Sequence, residues 1–89
     1  MSDVSGVISG KVADESKQGL PGVIITVSGP GFDQVEVSNA RGEFMFRSVP
    51  PGSYSALAQL EGFASQTIKP VDVRIDHTTV VDFMLRQGQ

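Results

Sequence analysis

Short runs of alternating apolar and polar residues, cut by glycine and proline, are the strongest constraint this sequence carries. Ten Gly and five Pro divide the 89 residues into short pieces. Within the pieces the apolar residues recur every second position, which is the period of a strand with one buried face. Ile8, Gly10 and Val12 share one face of a first strand, and Val23, Ile25 and Val27 one face of a second. Val35 and Val37 mark a third strand, and Phe44 and Phe46 a fourth. Tyr54, Ala56, Ala58 and Leu60 alternate in a fifth, Val71, Val73 and Ile75 in a sixth, and Val81, Phe83 and Leu85 in a seventh. No stretch repeats at the three-to-four-residue spacing of a helix. Seven such strands predict an all-β, antiparallel-rich sandwich of two sheets.

The residues between the strands agree. Asn39-Ala40-Arg41-Gly42 reads as a hairpin turn, with Gly42 suited to a left-handed position. Gly19-Leu20-Pro21-Gly22 and Pro50-Pro51-Gly52 read as rigid connections, and Glu61-Gly62 as a further turn. Asp76-His77-Thr78-Thr79 closes a last hairpin, where Asp or His tolerates unusual backbone angles. Pro70, inside the sixth strand, marks a bulge or a switch between edges.

Length allows a single domain over residues 1–89, with an ordered core over about 5–86. A chain of this size buries roughly 60–65% of its unfolded surface, enough for one modest core. There is no cysteine to form a disulfide or a thiolate metal site. Net charge is −3 and the seven basic residues are scattered singly, which argues against nucleic acid as a partner. The longest apolar runs are three residues, such as Val23-Ile24-Ile25, far short of a membrane span. No hydrophobic segment follows Met1-Ser2-Asp3, so a signal peptide is not expected.

The order and spacing of the turn motifs are more distinctive than the strands. Gly6-Val7-Ile8-Ser9-Gly10-Lys11-Val12-Ala13-Asp14, then Gly19-Leu20-Pro21-Gly22-Val23, resembles the opening of a carboxypeptidase regulatory-like domain. The likeness continues through Ser38-Asn39-Ala40-Arg41-Gly42-Glu43-Phe44-Met45-Phe46, Val49-Pro50-Pro51-Gly52-Ser53-Tyr54 and Glu61-Gly62-Phe63, and runs from Gly6 to Leu85. The resemblance implies a transthyretin-like (prealbumin-like) sandwich serving as an accessory domain, usually extracellular, periplasmic or at the cell surface. It implies no catalytic residues. Asp76-His77 departs from the family, which often has Gly in that turn.

Candidate chemistry is sparse. His77 is the only histidine, whereas a metal site needs three or four ligands and a general base needs a positioned partner. The transthyretin-like hydrolases, by resemblance, use several histidines with an arginine. No Gly-x-Ser-x-Gly elbow is present, and Gly29-Pro30-Gly31 precedes no helix that could present its N-terminus to phosphate. Asp14-Glu15 and Asp72 with Asp76 are the only dense acids that calcium could use. The expectation is therefore a non-catalytic structural or docking module, with no cofactor and no metal.

Its partner would be a neighbouring protein domain or a second copy. By alternation Val7, Ile24, Met45, Leu57, Val80 and Met84 face outward, and Met45, Leu57 and Met84 are the candidate docking surface. The alternative is a carbohydrate-binding module with Phe32 and Tyr54 as glycan contacts, although Tyr54 also suits a buried corner position with its hydroxyl bonded. Surface domains that resemble this one sometimes join a first-strand Lys to a last-strand Asn or Asp. Here that pair would be Lys11 and Asp82, and alternation turns both to solvent.

Overall fold

The structure, a computed structural model, describes residues 4–88. These form eight strands: β1 Gly6–Ala13, β2 Ile24–Gly29, β3 Phe32–Val37, β4 Glu43–Val49, β5 Gly52–Gln59, β6 Gln66–Val73, β7 Thr78–Val80 and β8 Phe83–Met84. One sheet has the order β4-β1-β7, with β8 also on β1; the other has the order β3-β2-β5-β6. Pairing is antiparallel except where β1 meets β7 and β8, which run parallel to it. The fold is an all-β two-sheet sandwich, as the alternation predicts.

The core lies between the inner faces. Ile8 and Val12 of β1, Phe44, Phe46 and Val49 of β4, and Val81, Phe83 and Leu85 supply one side. Val23, Ile25, Val27, Tyr54, Ala56, Ala58, Val71 and Val73 supply the other. Phe44 stands edge-on to Phe46 and tilted against Phe83, with ring centroids 6.1 and 6.0 Å apart. Such offset contacts add modestly to the burial of the rings.

Four expectations need correction. Val35 and Val37 do not face the core: β3 is an edge strand, and they lie on the outer face of its sheet, 55% and 58% exposed. Ile75 does not extend the sixth strand, because β6 ends at Val73 and Asp76 turns the chain at φ 60°. The seventh strand is two short pieces, β7 and β8, separated at Val81-Asp82. Finally, the turns at Asn39–Gly42 and Asp76–Thr79 are not hairpins, since each carries the chain from one sheet to the other.

The Asn39–Gly42 turn is nonetheless built as its residues dictate. Asn39 Oδ1 accepts from the N–H groups of Arg41 and Glu43, each at 2.9 Å, and Gly42 sits at φ 83°. Beside it, buried Ser38 ties two connections together. Its Oγ accepts from Val23 N–H at 2.9 Å and donates to Leu20 C=O at 2.7 Å.

Two bulges explain where simple alternation loses phase. Gly6 pairs with Val49 but Ile8 with Phe46, so β4 carries an extra residue at Arg47-Ser48, with Ser48 at φ 58°. That shift turns Val49 inward. In β6 the partners jump from Ile68 to Val71 opposite Ala56 and Tyr54, so the extra residue falls at Lys69-Pro70.

Phe46→Ala is expected to cost about 3–5 kcal/mol in urea unfolding, because it empties a closed part of the core. Met45→Ala, one residue away on the outer face, should stay within about 0.5 kcal/mol. Equal costs for the two would contradict the facing of β4.

Candidate functional site

The groups able to do chemistry are dispersed. His77 sits exposed in the β6–β7 connection, and its Nδ1–H donates to Ile75 C=O at 2.8 Å. Among the described residues, no three His, Asp or Glu side chains gather where they could hold a metal ion. Asp14 serves the β1–β2 loop. Its Oδ1 accepts from Ser16 N–H at 2.9 Å, Ser16 Oγ–H at 2.7 Å and Gln18 N–H at 3.0 Å. The Ser16 hydroxyl first, and then the Gln18 N–H, hold this carboxyl below its ordinary pKa.

The two candidate aromatics have different fates. Tyr54 is only 5% exposed, and its hydroxyl donates to Pro50 C=O at 2.6 Å. It is a corner residue, so it is not available as a glycan platform; that expectation is corrected by its burial. Phe32 is half-buried at the start of β3 and meets the Tyr54 ring edge-on at 5.4 Å.

The docking candidates do not form one surface. Met45 in β4 and Met84 in β8 lie on the outer face of the first sheet, whereas Leu57 in β5 lies on the outer face of the second. Inner faces meet in the core, so these outer faces point in opposite directions. Met45 stands opposite Ser9, and Met84 opposite Ala13, four residues further along β1. That separation is about 13 Å of strand, with Lys11 and Glu43 paired between them.

What the pairing does bring together is a different set. On the outer face of the second sheet, Val37, Ile24 and Gln59 form one cross-strand row. The next row on that face is Val35, Thr26, Leu57 and Thr67. Ile24 is 46% exposed, so Ile24, Val35, Val37 and Leu57 make a contiguous apolar patch. The alternation Val35-Glu36-Val37 was visible in the sequence, but alternation alone does not say which face is wet. Between the edges of the two sheets runs an open groove of about 630 Å³, lined by Lys11, Glu36, Asn39, Glu43 and Met45 among others.

Lys11 and Asp82 are neighbours across the β1–β8 ladder, and both are exposed. The contact between them is Lys11 backbone N–H donating to Asp82 Oδ1 at 3.2 Å. Asp82 thereby fills the gap in the ladder where the chain leaves β7.

Comparison with known proteins follows the same outline. The family profile of the carboxypeptidase regulatory-like domain matches residues 7–86. The chain belongs to this family. It is 38% identical over 81 residues to the carboxypeptidase N catalytic chain of Mus musculus, covering 91% of this chain. This chain spans only 17% of that relative's length. Among solved structures, a type II cohesin–X-dockerin complex from Acetivibrio cellulolyticus contains a chain that superposes with TM-score 0.76 at 16% identity. That match covers 93% of this chain and 58% of the other. The 5-hydroxyisourate hydrolase of Klebsiella pneumoniae superposes with TM-score 0.69 at 22% identity, covering 93% and 92% of the two chains. At such identities these likenesses concern the fold alone, and the fold hosts both enzymes and accessory domains.

An amide bond between Lys11 and Asp82 would require burial that keeps the amine neutral and the carboxyl protonated. Both side chains are solvated, so the intact mass should equal the sequence mass. A mass lower by one water would contradict this.

Proposed function

We propose that this regulatory-like domain is a non-catalytic accessory module that docks a protein partner through the outer face of its second sheet. The observation that carries the reading is the register of Ile24, Val35, Val37 and Leu57. These residues lie in two adjacent cross-strand rows on the outer face of the second sheet. Scattered exposed apolar residues are ordinary, but contiguous ones on a sheet face suit an interface. Of the three docking candidates drawn from the sequence, only Leu57 belongs to this face. The curated relatives support an accessory role, since the matching segment is a small share of a longer chain. A carbohydrate ligand is the second reading, carried by the partly exposed ring of Phe32. Glycan-array binding that Phe32→Ala abolishes would favour it.

A photoreactive amino acid placed at Val35 or at Leu57 in the source cell tests the docking reading. Each should give one discrete protein adduct of the same identity, while the same group at Lys17, in the β1–β2 loop, should give none. Adducts of equal intensity from all three positions would contradict the proposal.

A further inference from the structure

Four strands or strand pairs form the edges of the two sheets, and three of these edges are blocked. β4 carries the Arg47-Ser48 bulge, and β6 carries the Lys69-Pro70 bulge. β7 and β8 are three and two residues long. Bulges, charges, proline and short length are the usual devices that stop a further strand from adding to an edge. β3 has none of those backbone devices. Its six residues hold an unbroken register with β2 from Phe32 to Val37.

The free side of β3 can be assigned. Ser38 N–H donates to Val23 C=O at the base of the ladder. Residues two and four positions earlier, Glu36 and Gln34, therefore direct their backbone groups to β2. Asp33, Val35 and Val37 turn theirs outward. Asp33 and Glu36 are the charged side chains of this strand, and Glu43 lies across the adjoining groove.

These acids discriminate between occupants. Antiparallel pairing sets outward-turned residues opposite outward-turned residues. With β3 of a second copy that places Val35 opposite Val35, Asp33 opposite Val37 and Glu36 opposite Gln34, so neither acid gains a partner of opposite charge. A strand with basic residues at the positions facing Asp33 and Glu36 gives both acids such a partner.

From these observations we propose that the β3 edge receives an extended basic segment of a partner protein by antiparallel strand addition. The segment places apolar side chains opposite Val35 and Val37, continuing the apolar rows of the outer face, and Lys or Arg opposite Asp33 and Glu36. Main-chain hydrogen bonds to Asp33, Val35 and Val37 hold it, and the charges set its register. The groove beside Glu36 and Glu43 gives room for its inner side chains. This deepens the docking reading and rests on it.

The test is a titration of the isotope-labelled domain with the capped peptide Gly-Val-Lys-Val-Thr-Lys-Gly at physiological ionic strength, followed by amide chemical shifts. Shifts should be confined to Phe32–Val37 and the groove residues. A peptide with Glu in place of both Lys should bind about tenfold more weakly or not at all, since two favourable cross-strand pairs become repulsive. The double variant Asp33→Lys, Glu36→Lys should reverse that preference. Val35→Pro keeps every charge and removes one outward N–H on an edge, so it should fold and lose the peptide. Equal binding of both peptides, unchanged binding to Val35→Pro, or dimerisation of the unaltered domain through β3 would each overturn the proposal. If the peptide fails while the Val35 and Leu57 adducts form in cells, the partner docks on the face without using the edge. If the adducts also fail, the docking reading itself falls.

Discussion

β1 has to pair on both sides at once, and the first sheet exists only because it can. β4 runs antiparallel along one side, and β7 and β8 run parallel along the other. The chain crosses from β7 to β8 directly over Gly10. A Cβ at that position would collide with the carbonyl oxygen of Val81 and crowd the ring of Phe44. Glycine is therefore required there by close approach of backbone to backbone, not by its own φ. With the crossing seated, Val81 N–H reaches Ser9 C=O at 2.8 Å and Leu85 N–H reaches Ala13 C=O at 2.8 Å. Asp82 Oδ1 takes the Lys11 N–H left between them. Val81, Phe83 and Leu85 can then all enter the core.

The same logic separates what was legible in the sequence from what was not. Inward positions on regular strands, such as Ile25 and Val27 or Phe44 and Phe46, follow from a period of two and needed nothing more. Val49 was not legible, because the extra residue at Arg47-Ser48 changes the phase and a bulge of this kind has no proline to announce it. Lys69-Pro70 did announce its bulge. Gly10 was assigned a strand face but its purpose depends on Val81, seventy-one positions away in the chain. Tyr54 after Pro-Pro-Gly was open to two readings, and its burial together with its hydrogen bond to Pro50 decides between them.

Of the surface, the sequence disclosed which residues point outward but not which are neighbours. Met45, Leu57 and Met84 satisfied the alternation equally well and ended on two faces. Val35 and Val37 satisfied it too, and their exposure follows from the register with β2, which sets them beside Thr26 and Ile24 on the outer face. That position also makes the strand useful. A six-residue edge with an apolar outer face and two acids suits a basic strand, whereas the other edges carry bulges or are two to three residues long.

Amide hydrogen exchange on the unligated domain tests the centre of this account most directly, because it reads the doubly paired strand and the open edge in one measurement. Interior amides of β1 are expected to exchange only through global unfolding, with a denaturant dependence equal to that of the whole domain. Val35 and Val37 amides are expected to exchange rapidly without unfolding, while those of Gln34 and Glu36 in the same strand remain protected. Exchange of β1 amides as fast as those of Val35, or uniform protection along β3, would contradict it.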